Sequence, residues 1–455
     1  MDIKTIILAA GQGTRMRSSK PKVLHHIADR ALLHHVYDTS KQFENNSIVI
    51  VYGHGGEQVK QELAGLEANW VEQKEQLGTG HAVQQAEDYI NDADTVLILY
   101  GDVPLLKQTT INCLLTCVSQ NSIGLLTVEL DNPKGYGRIV RSSDGNVLKI
   151  VEEKDTNAQE KSITEGNTGI IAAPGGLLKR WLARLENSNA QKEFYLTDII
   201  EMAVNDGIKV KTNQPDSQDE VMGVNDRKQL AHLERVFQLE QADKLMANGV
   251  TLRDPARIDI RGSFDQIGQD IEIDVNVIFE GNNSIGNNVV IGANSVLKNA
   301  VIGDNVVILA NCVIEDSIVG ESCRVGPFAR LRPQAELASH VHIGNFVEIK
   351  KSTVATGSKI NHLSYIGDAT IGSKVNIGAG TITCNYDGVN KFRTVIEDNA
   401  FIGSDTQLIA PVTIGKGTTI GAGSTITKDT PENQLSLSRA KQIAIDSWQR
   451  PVKKK

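Results

Sequence analysis

The feature that most constrains the fold is a six-residue repeat between Ile267 and Ile426. Its frame slips by one residue four times and is interrupted once. Of its twenty-seven positions, twenty-six are aliphatic or aromatic, whereas apolar residues make up 40% of the whole chain. Thirteen of the positions are followed directly by glycine, as in Ile285-Gly286 and Ile402-Gly403. A sandwich of ordinary strands would instead alternate with period two and show turn signals every 8–12 residues.

The repeat predicts a parallel β-helix, in which one side chain per hexad points inward and three hexads close one triangular coil. Stacking of the coils would join the inward side chains into one apolar column. We expect the glycines to turn the corners with a positive φ, which costs a residue without a Cβ nothing. The single-residue slips are expected at corners as well, because a flat sheet face tolerates them poorly.

Length, charge and cysteine content limit the classes of protein to consider. A chain of 455 residues should hold two or three domains. A net charge of −8 argues against nucleic-acid binding through a broad basic face. The start of the chain lacks a signal sequence, and no apolar run approaches the ~18 residues of a membrane span. We therefore expect a soluble cytoplasmic protein that neither inserts into membranes nor binds nucleic acid.

Two smaller features fit this expectation. The cysteines are odd in number, show no CxxC spacing and are most simply read as reduced thiols. They are Cys113, Cys117, Cys312, Cys323 and Cys384. The three lysines at residues 453–455 are interpreted as a solvated end, with phosphate contact as the alternative.

The first half of the chain alternates apolar strands with helical patterns. Strands are predicted at residues 4–10, 48–52 and 95–100, and helical stretches at residues 32–43, 58–66 and 81–90. This alternation indicates a doubly wound, Rossmann-like α/β domain with a parallel sheet. Ligands of such sheets bind at the carboxyl ends of the strands.

Glycines and charged residues follow two of these strands. Gly11 and Gly13 come directly after the first strand, where backbone N–H groups could approach a phosphate, and Arg15 and Lys22 add positive charge. A tight turn without a ligand is the alternative, since the spacing fits neither the dinucleotide nor the P-loop pattern. Asp102 follows the strand ending at residue 100 and is a natural Mg²⁺ ligand or, alternatively, a helix N-cap.

A segment between the two halves has a helical period. Residues 225–248 carry spaced apolar side chains among charges, and Gly249 stands where a helix would end. Asp254-Pro255 then excludes further helix before the hexads begin. We therefore expect domains at residues 1–226 and 250–455, joined by a linker helix at residues 227–249.

Polar residues interrupt the outer faces of the hexad region. His362 is followed three residues later by Tyr365 and lies near Arg332 and Lys350, and a loop breaks the rhythm between residues 383 and 396. A lone surface histidine is usually only solvated, but this neighbourhood favours a binding face. Because these groups fall on different faces of one prism, we expect a homotrimer with sites shared between chains. Cys384 lies beside the loop and could be a nucleophile, but we interpret it as an ordinary thiol.

The run Leu8-Ala9-Ala10-Gly11, followed by Gly13-Thr14-Arg15-Met16 and Pro21-Lys22, resembles the sugar-1-phosphate nucleotidyltransferases. With the hexads, the whole chain is similar to the family of bifunctional N-acetylglucosamine-1-phosphate uridyltransferases/glucosamine-1-phosphate acetyltransferases. The resemblance implies a left-handed β-helix that transfers an acetyl group from acetyl-CoA to glucosamine-1-phosphate. It further implies that the N-terminal domain transfers uridylyl from UTP with Mg²⁺ and releases pyrophosphate. The product, UDP-N-acetylglucosamine, would supply peptidoglycan and lipopolysaccharide synthesis.

The resemblance also implies roles for residues of the first half. Arg15 would be catalytic, and Asp102 and Asn225 would bind Mg²⁺. The nucleotide and sugar positions are matched by Leu8, Ala9, Ala10, Gly11, Lys22, Gln73, Gly78, Thr79, Tyr100, Gly101, Asp102, Gly137, Glu152, Asn167 and Asn225. One departure is Gly166, where the family suggests an aliphatic residue and where glycine could loosen the strand carrying Asn167.

In the second half, His362 matches the general base, a task that suits imidazole, and Glu348 is expected to orient it. The sugar-phosphate positions are matched by Arg332, Lys350, Tyr365 and Asn376. The coenzyme A positions are matched by Ala379, Asn385, Tyr386, Ser404, Ala422 and Arg439. The alternative is a monofunctional nucleotidyltransferase whose β-helix only oligomerises or senses an effector.

Overall fold

The computed structural model describes residues 2–11, 13–53 and 55–453. Gln12 of the predicted phosphate loop and Lys454-Lys455 of the basic tail lie outside the described residues. The chain divides into two compact units, Met1–Phe237 and Gln238–Lys455. Across the residues described, no helix combines the length and apolar character needed to cross a bilayer.

The first unit is built on one mixed sheet. Its strands, in chain order, are β1 (Ile3–Ala9), β2 (Asn46–Tyr52), β3 (Asn69–Glu72), β4 (Thr95–Tyr100), β5 (Ser122–Glu129), β6 (Arg138–Arg141), β7 (Val147–Val151), β8 (Glu165–Pro174) and β9 (Lys209–Asn213). The strand order is β9-β5-β8-β4-β1-β2-β3, and β6 pairs with both β8 and β7. A two-stranded hairpin, His26–Ile27 with Arg30–Ala31, lies apart from this sheet.

Helices flank this sheet, as the alternating pattern predicted. They are α1 (Leu32–Lys41), α2 (Gly56–Glu62), α3 (Thr79–Gln85), α4 (Gln108–Thr116), α5 (Gly175–Leu182) and α6 (Asp198–Asn205). Successive residues of β1 contribute to two different apolar clusters, with Ile6 and Leu8 in one and Ile7 and Ala9 in the other. A strand covered on both faces has to be apolar throughout, which explains its unbroken hydrophobic sequence.

The predicted parallel pairing holds for one half of the sheet. β1 pairs in parallel with β2 and β4, and β2 pairs in parallel with β3. β8 instead runs antiparallel to both β4 and β5. The register places Leu8 beside Tyr100 and Ala9 beside Tyr52, so the segments that follow β1, β2 and β4 begin at the same edge.

The second unit is the predicted parallel β-helix. One sheet stacks Thr251–Leu252, Glu272–Ile273, Val290–Ile291, Val307–Ile308, Arg324–Val325, His342–Asn345, Lys359–His362, Asn376–Ile377, Phe401–Ile402, Thr419–Ile420 and Leu435–Ser436. The other contains Ile258–Ile267, Val277–Ile285, Val296–Lys298, Val301–Ile302, Val313–Glu315, Ile318–Val319, Arg330–Leu331, Ala335–Leu337, Glu348–Lys350, Ser352–Val354, Tyr365–Gly367, Ala369–Ile371, Ile382–Cys384, Thr394–Ile396, Gln407–Ile409, Val412–Ile414 and Thr425–Ile426.

The hexad positions form the core of this unit. Of the twenty-seven, all but Ile267 are buried, and Ile267 packs partly buried against the same cluster. The one polar position, Thr383, is buried with its hydroxyl satisfied, since it accepts from the Gly367 N–H at 2.7 Å and donates to the Gly367 carbonyl at 3.0 Å. The frame slips coincide with turns, such as the one at Asn299 between two strands of the larger sheet.

The expected role of the repeat glycines was wrong. Of the thirteen glycines that follow an inward residue, Gly326 alone has a positive φ. After twelve of the thirteen glycines a positive φ falls two residues later, as at Asn288 (φ 54) and Asn294 (φ 60), and after Gly367 it falls on the next residue, Asp368. A Cβ on Gly292 would lie 2.6 Å from the backbone nitrogen of Ala310 in the next coil. The repeat glycines are therefore required because coils approach closely, and the left-handed turn is made by a later residue, which is asparagine at three of these positions and glycine at three others.

A single helix, α7 (Arg227–Ala247), spans the predicted linker. Its end has the predicted glycine cap, with Gly249 at φ 92 donating to the Met246 carbonyl and Val250 donating to the Leu245 carbonyl. The division between the two compact units falls inside this helix, after Phe237. Leu233 packs into a cluster of the first unit, and Leu245 packs into the core of the second.

We predict that Gly292→Ala will destabilise the β-helix by about 1–3 kcal/mol, because its new methyl group would meet the backbone of the next coil. Gly421→Ala is the matched control, since it also follows an inward isoleucine but its nearest neighbour is the exposed Leu437 side chain, at 3.1 Å. Chemical denaturation of the full chain measures both. Equal losses in the two variants would contradict the close-approach explanation.

Candidate active sites

A cavity of about 600 Å³ opens at the edge of the sheet where β1 and β4 end. Every residue that the sequence assigns to the uridylyl site lines it, with the exception of Gly101. Gly101 is buried and packs against α1, where a Cβ would lie 3.1 Å from Leu33. Strand ends and the loops between them therefore gather residues that are up to 217 positions apart, from Leu8 to Asn225.

Positive and oxygen-bearing side chains meet at one end of the cavity. Lys22 forms an ion pair with Asp102, and its Nζ donates to Asn225 Oδ1 at 3.3 Å. Arg15 donates to the same Asn225 oxygen at 2.9 Å. Gly13 adopts φ 60 and leaves room for Lys22, whose Cβ would lie 2.8 Å from a side chain at that position. Gly11 has no such neighbour, so the space beside it is open to a ligand.

A second group of predicted residues forms another wall. A Cβ on Gly137 would lie 3.5 Å from Glu152 Oε1 and 3.6 Å from Asn167 Cβ, so these three residues are adjacent. Thr197 donates to Glu152 at 3.1 Å. Burial raises the pKa of the Glu152 carboxyl. A half-buried carboxylate with free oxygen lone pairs can accept hydrogen bonds from hydroxyl groups such as those of a sugar.

Gly166, the one departure from the family pattern, lies within β8. β8 continues through this position, and a Cβ on Gly166 would lie 2.9 Å from Leu130 and 3.4 Å from Tyr136. The missing side chain therefore makes room for its neighbours and leaves Asn167 in place on the strand.

A third wall is formed by the turn before α3. Gln73 donates from Nε2 to the Gly78 carbonyl at 3.1 Å, and Thr79 accepts from the Leu196 N–H at 3.1 Å. Gly78 has φ 110, and a Cβ there would lie 2.6 Å from the Phe194 carbonyl oxygen. This position is thus confined to glycine by conformation and by space.

Several lining residues were missed by the sequence analysis. They are Val23, Gln76, Ala82, Val103, Lys134, Gly135, Tyr136, Thr168, Gly169, Glu193, Thr197, Val221, Gly223 and Gln229. Lys134, Gly135 and Tyr136 are the three residues before Gly137 and could have been found from that motif. Thr197 and Glu193 come from a segment with no strand or glycine signal, and its two charged residues, Lys192 and Glu193, form no motif, so only the folded chain reveals them.

In the second unit, four residues predicted for the acetyl site and Asn345 form one column at a corner of the prism. The column contains Asn345, His362, Ala379, Ser404 and Ala422, in successive coils. Backbone bonds link these coils, for example from the Gly380 N–H to the His362 carbonyl at 3.2 Å. Gly423 donates in the same way to the Ser404 carbonyl at 2.8 Å. Arg439 joins the column by donating to the Ala422 carbonyl at 2.9 Å.

The predicted orienting partner of His362 was wrong. His362 Nδ1 bonds Asn345 Oδ1 at 2.7 Å, and Glu348 instead accepts from Arg332 at 2.7 Å. The reason is the register, since His362 pairs with Asn345, 17 residues earlier, whereas Glu348 pairs with Tyr365. Because an amide oxygen only accepts, Nδ1 carries the proton and Nε2 presents a lone pair.

The remaining predicted residues lie on the other sheet or in the loop. Arg332 and Lys350 occupy equivalent positions in successive coils, next to the Glu348–Tyr365 pair. Lys391, which the sequence analysis missed, lowers the pKa of Lys350 through its nearby ammonium group. Lys391 belongs to the segment that interrupts the hexads. A positively charged residue in that segment was the sequence signal from which it could have been predicted.

The loop after residue 383 is anchored at its base. Asn385 is buried and donates to Asp368 at 2.5 Å, while Tyr386 is exposed and forms a backbone bridge to Lys391. Asn376 stands on the smaller sheet three residues before Ala379 in the corner column. The predicted acetyl-site residues therefore fall on two adjacent sheets and a loop of the same prism.

Comparisons with known proteins agree with this architecture. Residues 5–151 match the model of a MobA-like NTP transferase domain, residues 265–345 that of a GMPPB C-terminal domain, and residues 393–428 that of the bacterial transferase hexapeptide (six repeats). These matches confirm the predicted combination of a nucleotidyltransferase-type α/β domain with a hexapeptide β-helix.

Full-length relatives extend the match to the whole chain. A protein of Methylococcus capsulatus named bifunctional protein GlmU is 61% identical over 453 residues, which cover 100% of this chain and 98% of that protein. A protein with the same name from Azoarcus sp. is 54% identical, and the match covers 100% of this chain and 100% of that protein. Another from Ralstonia nicotianae is also 54% identical, and the match covers 99% of each chain. The chain therefore belongs to the bifunctional GlmU family.

Proposed function

We propose that the chain makes UDP-N-acetylglucosamine in two steps. Residues 250–455 transfer an acetyl group from acetyl-CoA to glucosamine-1-phosphate, and residues 1–226 transfer uridylyl from UTP to the N-acetylated sugar phosphate, with residues 227–249 as the linker. The observation that carries the proposal is the meeting of Arg15, Lys22, Asp102 and Asn225 at one end of a cavity. Family membership and the histidine column support the second activity. The five free thiols fit the reducing cytoplasm, where we place the enzyme.

In the uridylyl step, a phosphate oxygen of the sugar phosphate attacks the α-phosphorus of UTP in line, and pyrophosphate leaves. Little proton transfer is needed, so positioning and charge neutralisation supply most of the acceleration. Arg15 and Lys22 are held by Asn225 and Asp102 with their charges at the cavity, where they neutralise phosphate oxygens. Gln73 and the turn at Gly78 hold the uracil end, and Gly137, Glu152 and Asn167 bind the sugar.

The oxygen atoms at this end suit Mg²⁺. Asp102 offers a carboxylate and Asn225 an amide oxygen, and Mg²⁺ is commonly bound by one or two such groups together with substrate phosphates. Both residues contact the same ammonium group, that of Lys22, so one cation can reach both. When bound, the ion would neutralise negative charge on the phosphate oxygens. Lys22 would then be released to contact phosphate directly.

In the acetyl step, the amine of glucosamine-1-phosphate attacks the thioester carbonyl, and coenzyme A leaves as the thiol. His362 Nε2 accepts the amine proton, because Asn345 holds the proton of the ring on Nδ1. Arg332, Lys350 and Lys391 form a cationic group suited to the sugar phosphate. The column through Ala379, Ser404 and Ala422 leads from His362 to Arg439, whose guanidinium suits the phosphates of coenzyme A.

We predict that two single variants will separate the activities. Arg15→Ala should lower uridylyl transfer by ~10²–10³-fold, through lost charge stabilisation, and leave acetyl transfer intact. His362→Ala should remove coenzyme A release and leave uridylyl transfer intact. Pyrophosphate release and thiol release from the full chain measure the two steps. Coenzyme A release that does not depend on His362 would favour the alternative, in which the β-helix is only structural.

The corner beside the histidine column supports a homotrimer. Phe328, Phe346 and Leu363 occupy one corner of successive coils, with exposed fractions of 49%, 54% and 64%. The two rings stack with centroids 5.3 Å apart. Their backbones have φ values between 49° and 56°, which bulky side chains adopt rarely. Three earlier coils place Asn276, Asn294 and Asn311 at this corner.

An exposed apolar column with a strained backbone suggests a surface that a partner chain buries. Phe346 and Leu363 directly follow Asn345 and His362, so a chain that covered them would also border the acetyl site. A prism with three flat sides favours closed cyclic assembly of identical copies. We therefore assign this corner to contacts between the three chains.

Phe346→Asn tests this assignment, because asparagine occupies the same corner in three other coils and relieves the backbone strain. We expect the β-helix to remain folded, the trimer to dissociate and acetyl transfer to fall, with uridylyl transfer unchanged. Light scattering and thiol release measure these effects. Ile318→Thr, which changes an apolar residue of similar exposure, 48%, on a flat face, is the control. A monomer mass for fully active wild-type protein would contradict the assignment.

A further inference from the structure

The side chain of Gln73 is held in one orientation by its neighbours. It lines the cavity, is only 3% exposed and follows β3, where its backbone N–H donates to the Tyr52 carbonyl at 2.7 Å. Its Nε2 lies 3.1 Å from the Gly78 carbonyl oxygen and 3.1 Å from His81 Nδ1. A carbonyl oxygen only accepts, so the Gln73 atom that faces it must be the NH₂ group. The two partners use both of its hydrogens.

This arrangement also fixes the proton of His81. Because Gln73 donates to Nδ1, the neutral imidazole carries its proton on Nε2. Nε2 lies 3.2 Å from the side-chain amide of Gln85. The N–H group at His81 Nε2 needs an acceptor, so the Gln85 amide must turn its oxygen toward it. Gln85 then loses the 3.3 Å contact between its own Nε2 and the His81 carbonyl. The ring of His81 packs beside Phe194, with centroids 6.3 Å apart.

The remaining polar atom of the Gln73 amide, Oε1, is the one that can meet a ligand in the cavity. Gln73 Oε1 has no hydrogen-bond partner in the part of the chain that the structure describes. The protein does not fully enclose this oxygen. The cavity is the space that this side chain lines. A ligand therefore meets an acceptor at this point, and the amide cannot turn to offer a donor without losing both bonds.

We propose that His81 is a positioning residue that selects the nucleobase by holding the Gln73 oxygen toward it. The inference rests on the uridylyl-transfer function proposed above. Uracil carries a hydrogen on N3, which this oxygen accepts, whereas cytosine presents a lone pair at N3 and repels it. A fixed acceptor thus favours a pyrimidine with an N3–H group. Without His81, the NH₂ group keeps only the Gly78 carbonyl as a partner, so turning the amide to suit cytosine costs one hydrogen bond instead of two.

The test compares UTP with CTP in variants of the full chain. His81→Phe keeps a ring beside Phe194 but removes the acceptor. His81→Asn restores an acceptor, because its side-chain oxygen is as many bonds from the backbone as Nδ1. The ratio of kcat/KM for UTP to kcat/KM for CTP is measured by pyrophosphate release with N-acetylglucosamine-1-phosphate. We expect it to fall roughly tenfold or more in His81→Phe, mainly through KM for UTP, and to recover largely in His81→Asn.

His34→Leu, a histidine change on α1 away from the cavity, is the control and should leave the ratio unchanged. If His81→Phe does not fold, His81→Leu is carried through the same measurements. Equal losses for UTP and CTP, or an unchanged ratio, would overturn the inference and leave His81 as a packing residue. Wild-type protein that releases pyrophosphate with neither nucleotide would instead contradict the proposed uridylyl transfer itself.

Discussion

The close stacking of successive coils is the constraint on which the second half of the molecule depends. Backbone bonds join each coil to the next, and the spacing is tight enough that glycine is required at positions such as Gly292 and Gly344, where a Cβ would lie 2.0–2.6 Å from the neighbouring backbone. Such spacing leaves no freedom of register. It therefore decides which outward side chains become neighbours, and His362 meets Asn345 for this reason alone.

The β-helix could be predicted from the sequence because its core residues recur with a strict six-residue period. Burial of the hexad positions follows from the repeat without further knowledge. The partner of His362 was predicted with the wrong offset. One coil is three hexads, and the inward residues Ile343 and Ile360 are 17 residues apart, so the repeat itself places Asn345 beside His362 and leaves Glu348, at an offset of 14, in another position. The role of the glycines was missed because a sequence shows the missing side chain and not the space around it.

In the first half, strand ends located the site and local motifs located most of its residues. Asp102 and Lys22 were predictable because they follow strands that the pattern makes adjacent. Thr197 and Glu193 were not, since they reach the cavity from an irregular segment. The orientation of the Gln73 amide was equally hidden, because it depends on the angle at which α3 presents His81. Sequence thus identified which groups take part, while the folded chain determines which of their atoms face the ligand.

The corner that carries His362 also has a consequence for how such a chain can change in length. Its coils repeat a self-contained unit of backbone bonds, and the early coils contain an asparagine ladder, Asn276 to Asn294 to Asn311, that uses the same bond at each step. Gain or loss of one complete coil in that region would preserve every contact above it. A shorter insertion within a flat face would rotate all later side chains off their columns, so growth of the prism is confined to whole turns.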